Sequence, residues 1–160
     1  MNVLIAGIGN IFNGDDAFGC EVARVLMKRP LPPNVRVVDF GIRGLDLAYT
    51  LLDEPDLTIL VDATSQGGAP GTVYTMEPNV ENLDSGAEDS LDGHSVDPVR
   101  VLRMVQTMGG KLGRILLIGC EPADLGGEDG RMGLTPVVAA AVGQAADVAV
   151  SLLQKELVEV

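Results

Sequence analysis

Five short apolar runs, separated by stretches with helical spacing, limit what this chain can become more than any other feature. They fall at residues 3–6, 35–40, 57–62, 72–76 and 114–119. Their near-continuous apolar character predicts strands buried on both faces, and the alternation with helical patterns reads as α/β. A first helix is expected from Asp15 or Asp16, with Phe18, Val22, Val25 and Leu26 facing inward. A second covers residues 45–52. A third opens at Asp97-Pro98 and a last at Thr135-Pro136, each an N-cap residue followed by proline at the first helical position.

The third and fourth runs are joined by about ten residues, SQGGAPG and its flanks, without helical spacing. Parallel pairing needs a crossover of roughly a dozen residues or more, so these two strands are expected to be antiparallel. The other connections hold helices and predict right-handed crossovers between parallel strands. The expected fold is therefore a three-layer α/β sandwich. Its five-stranded sheet is mixed and mostly parallel, with one antiparallel strand and helices on both sides. At 160 residues the chain reads as a single domain, 1–160.

Aromatic residues are 3% of the chain and Trp is absent, so Val, Leu, Ile and Ala must build the core. The net charge of −12 disfavours nucleic acid and an anionic membrane surface as partners. Cys20 and Cys120 lie far apart and match neither a disulfide framework nor a zinc motif; they read as small core residues in a reducing compartment. The N-terminal segment MNVLIAGIGN lacks a signal-peptide pattern. Residues 134–153 approach membrane-spanning length. They contain Gln144 and Asp147, however, and Val138, Val142, Ala145, Ala149 and Leu152 recur at an amphipathic spacing, which suits a packed surface helix. A cytoplasmic monomer with no organic cofactor is expected.

Residues 7–19, GIGNIFNGDDAFG, follow the first strand where a nucleotide-binding turn would sit. A dinucleotide-binding reading needs GxGxxG, yet Phe12 occupies the third glycine position, and Asp15 and Asp16 would repel a phosphate. They suit a cation instead. Ligands in open α/β sheets bind beyond the carboxyl ends of the parallel strands. Asp16 and Asp62 reach that edge, as do Asp39 and the Cys120-Glu121-Pro122 segment. His94, the sole histidine, precedes a helix whose N-terminus lies there too. Two carboxylates and an imidazole from three segments suit a divalent transition metal with open positions. Each also has a plainer role: Asp15 or Asp16 could cap the first helix, Asp62 could be paired structurally, and Asp39 could bond the turn after it. No Ser-His-Asp or Cys-His arrangement can be placed, which argues against a covalent intermediate. The acidic stretch 79–93 reads as a mobile surface loop.

GIGN followed by NGDDAFG, then DFGIRG, LVDAT, a histidine, and GCEPADL with GLTPVVAAAV, together resemble the hydrogenase maturation protease family along nearly the whole chain. The resemblance implies a mixed α/β sandwich and an aspartyl-type endopeptidase. Such an enzyme removes a C-terminal extension from the large-subunit precursor of nickel–iron hydrogenase once nickel has been inserted. It implies that Asp16, Asp62 and His94 are the catalytic, metal-contacting residues and that the nickel arrives with the substrate. Asp39 matches an acidic position near the same cleft, facing substrate. Two departures concern Ala17, which stands where the DDGxG-like segment has its first glycine, and Gly41-Ile42-Arg43, which replaces a GGT-type turn. The metal could be catalytic, or could serve recognition while a carboxylate acts as general base. A checkpoint protein that binds the nickel-loaded precursor without cutting it would need the same three residues.

Overall fold

A computed structural model describes residues 1–83 and 96–158. Five strands form one sheet: β1 (Val3–Ile8), β2 (Val35–Gly41), β3 (Leu57–Ala63), β4 (Val73–Met76) and β5 (Arg114–Cys120). Their order is β2-β1-β3-β5-β4. β1 pairs in parallel with both β2 and β3, and β3 with β5, while β4 runs antiparallel to β5.

Strand alternation divides the core into two layers. Val3 and Ile5 of β1, Ile59 and Val61 of β3 and Ile118 of β5 point to one face. There they meet Phe18, Val22 and Leu26 of α1 (Phe18–Met27) and the small-residue face of α5 (Val142–Val158). Leu4, Ala6 and Ile8 point to the other face. They pack with Leu47 and Leu51 of α2 (Gly44–Leu51) and Val101, Leu102 and Val105 of α3 (Pro98–Thr107). The central strands β1 and β3 are buried along nearly their whole length, as expected when helices cover both faces.

The orientation expected for the fourth strand is present, but its neighbour is β5, not β3. Residues 64–72 are too short for a helical crossover yet long enough to step across one strand. The step is pinned from β5: Thr64 N–H donates to Cys120 O at 2.9 Å, and Glu121 N–H to Thr72 O at 2.9 Å. The Glu121 carboxylate accepts from Gln66 N–H, Gly68 N–H and Tyr74 Oη at 2.8, 2.9 and 2.8 Å.

The N-cap expected for α3 is realised, with Asp97 Oδ1 accepting from Val99 N–H at 3.0 Å. The last helix starts at Pro136 as expected but breaks at residues 140–141, giving a short α4 (Pro136–Ala139) before α5. Ala145, Ala149 and Leu153 line its buried face, whereas Val142 and Leu152 are only partly covered. Pro136–Val158 is apolar and long enough to cross a membrane by length and composition alone. Here its alanines pack against α1 and the sheet.

Candidate active site

The turn carrying the acidic pair is built by close approach of backbones. Asp15 and Asp16 lie in a single turn of 3-10 helix (Gly14–Ala17) ahead of α1. A Cβ on Gly19 would stand 2.1 Å from Val61 O and 2.4 Å from Ile8 O, so only glycine lets α1 start against β1 and β3. The sequence glycines thus admit a helix to the sheet. The N–H groups that a phosphate would need are already used: Gly14 donates to Arg131 O, Asp15 to Asp124 O and Asp16 to Asn13 O, at 2.8, 2.8 and 3.1 Å. A nucleotide cradle is not formed here.

The two aspartates have different roles. Asp15 is fully buried. Its carboxylate accepts from Ala123 N–H at 2.8 Å, Asp124 N–H at 2.9 Å, and Thr135 N–H at 2.7 Å, with the Thr135 hydroxyl close to both oxygens. Burial pushes this carboxyl up, but the bonds from Thr135, Asp124 and Ala123 outweigh it and hold the group below its ordinary value. Asp15 therefore ties the turn to residues 121–135; it does not cap a helix.

Asp16 faces the carboxyl edge, where its Oδ2 accepts from Asn10 N–H at 2.8 Å. Burial raises its pKa against that one bond. Asp62, near the end of β3, is 8% exposed, and among the described residues its Oδ1 accepts from the N–H of the next residue, Ala63, at 2.8 Å. Burial raises this carboxyl well above its ordinary value, and the charges of Asp16 and Asp97 add to the effect. Neither Asp16 nor Asp62 has a basic partner among the described residues. A half-buried and a buried carboxylate, coupled in charge and without a basic partner among the described residues, favour a cation.

Of the four residues singled out from sequence, Asp16 and Asp62 are thus brought together. His94 lies outside the described residues, as do residues 84–93 of the acidic stretch. Asp39 stands in an adjoining groove, where its Oδ1 accepts from Gly41 N–H at 3.1 Å and its Oδ2 lies 3.6 Å from Arg24 Nε. Asp97 joins the acidic crevice in addition to capping α3, a second role that its N-cap signal concealed. Among the described residues, no group of three His, Cys, Asp or Glu side chains is placed to hold a metal ion.

Neither cysteine offers a nucleophile. Burial pushes the Cys20 thiol far up, helped by Asp39, and it donates to Gly9 O at 3.4 Å. Burial with the charges of Asp15 and Glu121 pushes Cys120 up to about 11. Both are protonated and inert at neutral pH.

The family model for hydrogenase maturation proteases matches residues 20–152. The chain belongs to the hydrogenase maturation protease family. HupD, a hydrogenase expression/formation protein of Rhodobacter capsulatus, is 36% identical over 159 residues, spanning 99% of this chain and 74% of that one. The hydrogenase maturating endopeptidase HybD of Escherichia coli has the same fold, with a TM-score of 0.79 at 26% identity over 98% of this chain and 94% of its own. A [NiFe] hydrogenase maturation protease, HycI of Thermococcus kodakarensis, gives 0.74 at 26% identity over 96% and 92%. The protease is accordingly a hydrolase acting in hydrogenase maturation, and its mixed sheet with one antiparallel pair is the fold of these relatives.

Proposed function

We propose that this protease removes a C-terminal extension from the large-subunit precursor of a nickel–iron hydrogenase after nickel insertion, acting in the cytoplasm. The observation carrying the reading is the Asp16–Asp62 pair: two carboxylates from separate segments, both raised in pKa and without a basic neighbour among the described residues. A cation carried by the substrate would relieve their mutual repulsion. Only a precursor that already holds its metal would then seat well, and the scissile bond would be fixed beside the pair. His94, three residues before the cap of α3, is assigned as the third contact.

Asp16, Asp62 and His94 would face the nickel of the substrate. A carboxylate with a raised pKa is also the better proton acceptor near neutral pH, which suits Asp62 to activate the attacking water. The test is incubation of the protein with nickel-loaded and nickel-free precursor, followed by mass measurement of the large subunit. The reading expects a shortened product from the loaded form alone. An uncut loaded precursor, or equal cutting of both forms, rejects it.

A further inference from the structure

The chain contains three phenylalanines, and two of them, Phe18 and Phe40, are buried. Phe12 is 61% exposed. Its exposure does not come from a slack loop, because the backbone is held on both sides. Phe12 N–H donates to Asn10 Oδ1 at 2.9 Å, and Phe12 O accepts from Arg131 N–H at 2.8 Å. With its backbone pinned and its ring in water, Phe12 has already lost the main-chain freedom that binding would otherwise remove. Such anchors contribute disproportionately to recognition.

Phe12 forms one wall of a groove of about 570 Å³, with Ile11, Phe40 and Ile42 as its other apolar members. That volume suits one or two side chains of an extended peptide more than a folded domain. The groove is continuous with the acidic crevice through Asn10, which lines it and whose N–H holds Asp16. Its charged members already have partners: Arg24 faces Asp39, and Arg43 pairs with Asp46 at 3.2 Å while lying over the Phe40 ring, 5.8 Å from its centre. The unsatisfied surface is therefore apolar.

We propose that this groove receives an apolar side chain of the precursor beside the bond that is cut, and that Phe12 selects it. The inference rests on the function proposed above and assigns the specificity of that same site. Phe12 touches no reacting atom in this scheme, so its loss weakens docking and leaves the chemical step in place.

The experiment compares wild type, Phe12→Ala and Phe12→Leu on nickel-loaded precursor, measuring kcat and KM by cleavage and affinity by calorimetry. Phe12→Ala should lower kcat/KM about tenfold, carried by KM, with an equal loss of affinity and an unchanged melting temperature. Phe12→Leu should recover most of it. Replacing the precursor's apolar residue by serine should cost wild type about as much, yet cost Phe12→Ala little more, because both changes empty the same contact. An unchanged affinity in Phe12→Ala, or losses that simply add, overturns the assignment. Uncut precursor with wild-type protein would reject the proposed cleavage instead, and calorimetry would still decide whether Phe12 binds it.

Discussion

Asp16 and Asp62, far apart in sequence, meet at one sheet edge, where burial raises the pKa of Asp62 and the charge of Asp16 raises it further. β1 and β3 are direct neighbours, so the turn after one strand and the last residues of the other share a crevice. The arrangement places a cost on the empty protein that a cation would remove.

Asp62→Asn separates that cost from the fold. The amide keeps the side-chain shape and can still accept from Ala63 N–H, but removes the repulsion with Asp16 and Asp97. Thermal melting should show a variant at least as stable as wild type, by up to about 1 kcal/mol. Precursor should nevertheless stay uncut. A strongly destabilised variant would show that Asp62 is structural.

The same groups set the pH dependence of stability. Asp16 and Asp62 have raised folded pKa values, so their contribution is fully present below the ordinary aspartate value and is lost as pH rises through the raised ones. Asp15 is lowered, so its contribution is present above the ordinary value and lost as pH falls through the lowered one. Melting temperature should therefore pass through a maximum in acidic solution near the ordinary aspartate value. Asp62→Asn should flatten the gain between neutral pH and that maximum. A wild-type curve rising steadily toward alkaline pH would contradict the assignment.

Thr135 tests the attachment of the turn. Thr135→Val keeps the shape but takes away the hydroxyl that bonds Asp15, and should cost about 1–3 kcal/mol in chemical denaturation. Thr135→Ser keeps the hydroxyl and should cost less. Equal losses would assign the effect to packing.

Thiol chemistry should be silent. With Cys20 far above its ordinary value and Cys120 at about 11, iodoacetamide at neutral pH should leave both cysteines and the cleavage rate intact. Rapid inactivation would show a thiolate that this geometry does not support.

Glycine substitutions should have opposite signs at two positions. In Gly19→Ala the new methyl meets backbone oxygens of β3 and β1, which cannot turn aside, and the variant should fail to fold. Gly143 lies exposed within α5 with nothing near its absent Cβ, so Gly143→Ala should stabilise by about 0.5–1 kcal/mol. Circular dichroism melts of the two distinguish close approach from general glycine intolerance.

Local chemistry was readable wherever neighbours in sequence decide the outcome. The strand runs, the Asp97-Pro98 helix start and the reversed direction of β4 all follow from patterns within a few residues. The insertion of β5 between β3 and β4 does not, because nothing in residues 64–72 states which edge they step to; Glu121, far downstream, supplies the pins. Asp15 and Asp16 show the same limit within the site. As adjacent aspartates before a helix they look interchangeable, and only the amides of residues 123, 124 and 135 make one an anchor and leave the other facing the crevice. Phe12 was visible as a missing glycine, but the bond from Arg131 that pins its backbone was not.

The bond between Asp15 and Thr135 spans 120 positions. A chain emerging from the ribosome carries β1 and its acidic turn long before the segment that fastens the turn is made. Truncated chains ending before Thr135 would carry Asp16, Asp62 and Asp97, while Asp15 would lack the bonds from the Thr135 N–H and hydroxyl. The acidic turn is thus fastened only once a segment far along the chain has folded back onto it.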